Sequence, residues 1–205
     1  MNKIIVLTTS ILALAMSSVA AQLPTKIDPA LLDAYIQGTF KSAPAEWQAR
    51  IVPDEAQRVC SESRGNLTPE LDRKLVESAK ASVVYPADGN VLGDWKKGQQ
   101  LAQRGTGGQF SDKPGGPIGG NCYACHQLSR AELSFGTLGP SLLEYGKIRK
   151  FKPEEAKAAY AKIYNGQAVQ PCSNMPRFGH NKFLGELEIK DLTAYLFDPE
   201  SPVNK

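Results

Sequence analysis

The run Asn121-Cys122-Tyr123-Ala124-Cys125-His126 places two thiols three positions apart and an imidazole directly behind the second. C-x-x-C-H is the attachment signature of a c-type haem. The two sulfurs can add to the two vinyl groups of the porphyrin, and the adjacent imidazole of His126 then reaches the iron on one face. Two other chemistries use a C-x-x-C pair. A thioredoxin-like dithiol needs a βαβ setting, which the surrounding pattern lacks. A structural zinc site takes four ligands, and outside the run only Cys60, Cys172 and His180 are usual donors. The residues therefore point to one covalently attached haem c, with thioether links at Cys122 and Cys125 and His126 as the proximal ligand.

The N-terminus sets the compartment. Asn2-Lys3 supplies a short positive start, Ile4 to Met16 an apolar run, and Ser18-Val19-Ala20-Ala21 a small-residue cleavage site. Residues 1–21 read as a secretory signal peptide, so a periplasmic protein is expected. The apolar run is too short to span a bilayer, and no later segment reaches roughly 18 uncharged apolar residues, so no membrane span is expected.

Of the three methionines, Met1 and Met16 leave with that signal, and Met175 remains. Haem iron in electron-transfer cytochromes takes a second strong ligand such as Met or His, which makes Met175 the candidate distal ligand. It sits in Ser173-Asn174-Met175-Pro176-Arg177-Phe178-Gly179, where the following proline restricts its backbone. Most methionines fill gaps in a core, but this one lies in a loop and not on a helical stripe. His180 is the competing ligand, or a surface histidine that only titrates. Between the two ligands lies Gly139-Pro140-Ser141-Leu142. A proximal histidine needs its other ring nitrogen held, and the Pro140 carbonyl is the candidate, with an ordinary turn as the plainer explanation.

Around these residues the pattern is helical. Asp28-Pro29 opens one helix, followed by Ala30 to Ile36 and then Gly38. Pro53 to Ser63 is a shorter helix holding Cys60, and Thr68-Pro69 opens a third with Leu71, Leu75, Val76 and Ala79 on one face. Ala87-Asp88-Gly89-Asn90 is a turn and a boundary. Beyond it, Asp94 caps a helix with Trp95, Leu101 and Ala102 facing the core. The glycine-rich stretch from Arg104 to Gly120 is a loop, whose glycines either link or let backbone approach a flat ligand. Pro153 opens a helix to Tyr164, and Glu186 to Phe197 carries Ile189, Leu192, Thr193 and Leu196 at helical spacing. No strand-rich region and no repeat are apparent, so the class is all-α.

Composition excludes several functions. With 24 Lys+Arg against 21 Asp+Glu, a net charge of +3, the chain lacks the strongly basic balance of a nucleic-acid binder. With 41% hydrophobic residues it is neither a polytopic membrane protein nor a disordered tail.

Taken together, G-D-x-x-x-G, C-x-x-C-H, G-P-x-L, a methionine loop and a closing A-Y-L helix resemble class I cytochromes c over residues 93–198. The resemblance divides the chain into a signal peptide (1–21), a helical N-terminal extension (22–90) and a class I cytochrome c domain (91–205). Within that family, N-C-Y-A-C-H-Q, L-G-P-S-L-L-E-Y-G, C-S-N-M-P-R-F-G and D-P-E-S-P-V-N resemble the SoxX group, the monohaem subunits of SoxAX cytochromes. That resemblance implies a SoxA-like haem subunit as heterodimer partner, a SoxYZ-like carrier protein met transiently, and a soluble acceptor such as a small cytochrome c. It implies membership of an L-cysteine S-thiosulfotransferase, which joins thiosulfate to a carrier cysteine and releases two electrons. The sulfur chemistry belongs to the partner subunit, so this chain is expected to carry electrons and to hold no catalytic residue. A free diffusible periplasmic cytochrome c is the alternative, and a haem sensor or peroxidase in which Met175 leaves the iron is a third.

Cys60 and Cys172 remain. An even pair in an oxidising compartment suggests a disulfide. Closing a loop of that length is nominally worth about 4 to 5 kcal/mol. Alternatively, Cys172 is a thiolate ligand or a sulfur-carrying thiol. Lys147, Arg149, Lys150, Lys152 and Arg177 either ring a haem edge and steer an acidic partner or form a solvated surface.

Overall fold

Four acidic or hydroxyl side chains start the N-terminal helices, each by accepting a hydrogen bond from a backbone N–H of the first turn. The computed structural model describes residues 27–205 except 49, 110, 111 and 114, so the expected signal peptide lies outside the described residues. Asp28 caps α1 (Pro29–Thr39), Asp54 caps α3 (Glu55–Ser63), Thr68 caps α4 (Pro69–Ala81) and Asp94 caps α5 (Trp95–Gln103). A four-residue helix, α2 (Ala45–Gln48), precedes α3. Downstream come α6 (Tyr145–Ile148), α7 (Pro153–Tyr164) and α8 (Glu186–Phe197), with 3-10 turns at Cys122–Ala124, Gly166–Ala168 and Pro202–Asn204. Among the described residues every regular element is helical, and the fold is that of an all-α protein.

The chain forms two units, one ending at Ser42 and one from Ala43 to Lys205. In the first, α1 buries none of its side chains and continues one residue past Gly38, where the sequence suggested a stop. Glycine in a helix interior costs only about 1 kcal/mol relative to alanine, so one glycine does not by itself end a helix. The second unit contains everything else, so α3 and α4 share it with residues 91–205.

At the centre of the second unit α5 crosses α8. The crossing is close because Gly98 has no side chain. A methyl group there would overlap the backbone carbonyl of Asp191 and meet Cβ of Tyr195. Polar bonds lock the same contact: Gly93 N donates to the Lys190 carbonyl at 3.0 Å, and Asp94 N to Asp191 Oδ1 at 2.7 Å. Around it Leu128, Tyr160, Ile163, Phe178, Ile189, Leu192 and Tyr195 form the core.

The C-terminal string Asp198 to Asn204 is structural. Buried Asn204 donates from Nδ2 to the carbonyls of Leu196 at 3.1 Å and Asp198 at 2.9 Å, satisfying the end of α8. Its Oδ1 accepts from the backbone of Gly146 and Lys147, at 3.0 and 3.1 Å, satisfying the start of α6. One amide therefore ties two helix ends that point at each other.

On the opposite side α4 packs its Leu75–Ala79 face against the Gly166–Ala168 turn. Asn165 Nδ2 donates to Ser82 Oγ at 3.0 Å, and Tyr160 Oη donates to the Val84 carbonyl at 3.2 Å. α3 in turn joins α4 through the Lys74–Glu55 pair at 2.8 Å.

Candidate haem site

Cys122 opens the 3-10 turn Cys122–Ala124 and Cys125 follows it as the C-cap, and neither thiol is bridged. The turn starts at Asn121 with φ +50°, a left-handed value that asparagine tolerates better than most residues. The Cys125 and His126 amides both donate to the Cys122 carbonyl, at 3.1 and 2.9 Å. That turn gathers two thiols and the imidazole within one loop of chain.

A second segment is laced along it. Gly136 N donates to the Tyr123 carbonyl at 2.8 Å, Gly139 N to the Cys125 carbonyl at 2.8 Å, and Leu142 N to the Gln127 carbonyl at 2.8 Å. These bonds bring the Pro140 carbonyl oxygen to 2.7 Å from His126 Nδ1. The glycines make the approach possible: a methyl group on Gly139 would overlap the His126 ring, and one on Gly136 would overlap the Ala124 carbonyl. In the adjoining loop, Glu132 Oε2 accepts from Leu128 N at 2.8 Å and Ser129 N at 3.2 Å.

His126 and Met175 line one cavity together with Cys122, and its other walls are hydrocarbon from Leu128, Leu142, Ile163, Phe178 and Leu192. Burial there pushes the Cys122 thiol up to about 12, so it is neutral in this setting. Tyr195 also faces the cavity, and its hydroxyl is buried without a hydrogen-bond partner among the described residues. Burial raises its pKa as well. An unpaired buried hydroxyl is costly and uncommon in a finished protein. Two unbridged thiols, an imidazole with one nitrogen held, a thioether and an apolar wall with an unpaired phenol fit the donor set and lining that a haem c takes, with Cys125 beside the cavity and not among its lining residues.

Met175 lies in the loop between the Gly166–Ala168 turn and α8. Its amide donates to Ser173 Oγ at 3.2 Å, and its Cβ backs onto Gly166, where a methyl group would come to 3.2 Å. Further on, the Gly179 and His180 amides donate to the Tyr164 carbonyl, at 3.0 and 3.1 Å. Cys60 and Cys172 form a disulfide with Cα atoms 5.4 Å apart, so Cys172 is neither a thiolate ligand nor a free sulfur carrier in this fold. His180 is absent from the cavity of His126 and Met175. It lies in a separate cleft with Asp54, Asn165 and Arg177. Burial lowers its pKa, and the Arg177 charge adds to the effect.

The glycine loop lines a cleft of about 640 Å³, with Gly105, Gly107, Gly119 and Gly120 facing Pro176 and Phe178. Its glycines serve close packing within the protein: methyl groups on Gly108 and Gly119 would overlap the Phe183 ring and the Arg104 carbonyl. Four of the five basic residues singled out in the sequence are paired: Lys147 with Glu144 at 2.8 Å, Arg149 with Glu155 at 3.6 Å, Lys152 with Glu154 at 3.8 Å and Arg177 with Asp54 at 2.6 Å. Lys150 forms no ion pair among the described residues. Local neutralisation of this kind favours a solvated surface over a steering patch.

A model of the cytochrome c family matches residues 95–198, half of the chain. The chain belongs to the cytochrome c family. Membership carries with it covalently bound haem c and electron transfer as the general activity of this cytochrome. A protein of Aquifex aeolicus (strain VF5), named "Uncharacterized lipoprotein", is 42% identical over 161 residues, covering 77% of this chain and 76% of its own length. Among the described residues of the cytochrome no helix is long and apolar enough to cross a membrane.

Sequence reasoning missed Gly136 and Gly139 as contact positions, Glu132 as a loop anchor, and the Asp54–Arg177 pair. Gly139 was visible as part of a G-P turn and Gly136 was not singled out; only the lacing of the two segments shows which atoms they admit.

Proposed function

We propose that this cytochrome holds one haem c through Cys122 and Cys125, with iron between His126 and Met175, and carries electrons in a periplasmic thiosulfate-oxidising complex of the SoxAX kind. The observation behind the ligand assignment is that His126 and Met175 line the same apolar cavity, with the Pro140 carbonyl on the far nitrogen of His126. When bound, the haem supplies a one-electron couple. The protein's part is orientation and dielectric: Pro140 fixes the imidazole, and the hydrocarbon wall excludes water. The thioether of Met175 would raise the potential. With His126 and Met175 both holding the iron, no position would remain for substrate, which suits a carrier and would leave the sulfur chemistry to a partner.

The finer assignment rests on four sequence strings, N-C-Y-A-C-H-Q, L-G-P-S-L-L-E-Y-G, C-S-N-M-P-R-F-G and D-P-E-S-P-V-N. It brings the partners named with them: a SoxA-like haem subunit, a SoxYZ-like carrier and a small cytochrome c as acceptor. The periplasmic location rests on the signal peptide read in residues 1–21. Gentle gel filtration of native periplasm from thiosulfate-grown cells, with haem staining and mass spectrometry, tests it. Co-migration with a second, larger haem protein is the expected result. Elution alone, repeated at low salt, contradicts the complex and assigns a free diffusible carrier.

A further inference from the structure

The loop carrying Met175 has no regular structure of its own, so something else must keep a sulfur aimed into the cavity. Two contacts do so, and both come from α3. Three residues before Met175, Cys172 is bonded to Cys60 in the body of α3. Two residues after it, Arg177 pairs at 2.6 Å with Asp54, the N-cap of the same helix. The Arg177 side chain is 10% exposed and that of Asp54 41%, so the guanidinium is held inside while the carboxylate meets it from the surface, a charge-assisted contact that fixes the direction of Arg177. Asp54 and Cys60 lie six residues apart, roughly 9 Å along a helix, so α3 spans the loop across Met175.

The span is anchored in turn. A capping box fixes the start of α3: Asp54 Oδ1 accepts from Gln57 N and Gln57 Oε1 from Asp54 N, both at 2.9 Å. Asp54, Glu55 and Ala56 at the start of α3 line one cleft with Leu75, Ser78 and Ala79 of α4, and α4 packs on the Gly166–Ala168 turn; the exposed Lys74–Glu55 pair adds little to this anchoring. Gly166 then closes the circuit behind Cβ of Met175. Cys172 itself takes φ +57°, a left-handed backbone unfavourable for a residue with a side chain, which the surrounding bonds must maintain.

We propose that α3, through Cys60 and Asp54, is a clamp that positions the axial methionine and sets how long its sulfur remains on the iron. The proposal rests on the assignment of Met175 as distal ligand. It gives the N-terminal helices a role in the electron-transfer site: a pre-organised ligand loop changes little between oxidation states. A disulfide acting on overall stability alone would constrain the unfolded chain without altering ligand lifetime.

The test uses purified holoprotein and two readouts, the far-red methionine-to-ferric-iron charge-transfer band and the limiting rate at which saturating imidazole displaces it. The variants are Cys60→Ser with Cys172→Ser, Asp54→Asn, and the controls Met175→Ala and Lys74→Ala. Asparagine caps helices as well as aspartate, so Asp54→Asn removes the ion pair and spares the helix start. The double serine variant is expected to exchange at least roughly tenfold faster, and Asp54→Asn about threefold faster, with Lys74→Ala unchanged. Limiting rates within about twofold of wild type in Asp54→Asn and, where it folds, in the double variant overturn the clamp. Should the double variant fail to take up haem, Asp54→Asn decides alone. Persistence of the band in Met175→Ala overturns the ligand assignment instead, so the two failures are distinct.

Discussion

His126 Nδ1 lies 2.7 Å from the carbonyl oxygen of Pro140, fourteen residues further along the chain. A carbonyl oxygen can only accept, so Nδ1 carries the proton, which leaves Nε2 as the nitrogen able to offer a lone pair to a metal. The backbone thereby selects the tautomer that can bind a metal and fixes the plane of the ring. The lacing of residues 136–142 onto 123–127 is what brings the carbonyl there.

That lacing depends on the missing side chain of Gly139. Gly139→Ala would drive a methyl group into the His126 ring. The expected outcome is a protein that attaches haem poorly, or holds it high-spin with the imidazole displaced. Haem yield per polypeptide and the ferric optical spectrum check this, and a normal low-spin spectrum in good yield would refute it.

Met175→Ala removes the only methionine outside the first sixteen residues. The variant should lower the reduction potential and open the iron, so that the ferrous protein binds carbon monoxide, which the parent should not. Redox titration and a carbon monoxide difference spectrum are sufficient. An unchanged potential would show that another group supplies the distal bond.

Gly98→Ala sets two effects against each other. Alanine favours a helix interior over glycine by about 1 kcal/mol. Overlap with the Asp191 backbone cannot be relieved by turning a side chain, and such overpacking costs about 1 to 3 kcal/mol. The net should be destabilising, lowering Tm by roughly 2 to 4 °C for each kcal/mol. Gly38→Ala is the contrasting case: nothing lies within 4 Å, so only the propensity gain remains, and it acts on α1 in the other unit. Thermal unfolding of Gly98→Ala and the helical circular dichroism signal of Gly38→Ala check the two signs.

Tyr160 gives the alkaline limit. Burial pushes its phenol from 10.0 up to about 12, and the neutral hydroxyl donates to the Val84 carbonyl. The unfolded chain releases this proton first. Stability is therefore full below pH 10 and falls as pH rises from there through about 12. Tyr160→Phe should lose about 1 kcal/mol at neutral pH and show a shallower decline above pH 10. Denaturant melts across that range measure both effects.

Most of this architecture was legible because it is periodic. The core faces of α4 and α8 followed from residues three and four apart, and α7 from Pro153 and its acidic first turn. The short helices α2 and α6, four residues each, carry too little pattern to see. α6 exists because Asn204, far along the chain, accepts from its first amides. At the site, C-x-x-C-H and Met175 could be singled out because the chain holds so few histidines and methionines. The pairing of Cys60 with Cys172 was one of several readings, since a count of thiols gives no distance. Arg177–Asp54 left no trace at all: in sequence both residues look like ordinary surface charges, and only the docking of α3 beside the methionine loop brings them together.

Near-infrared magnetic circular dichroism of the oxidised holoprotein tests the central claim most directly, because the energy of the charge-transfer band identifies the axial pair. One haem with a histidine–methionine band is the predicted result. A bis-histidine band, which would implicate His180, or a histidine–thiolate band would contradict it.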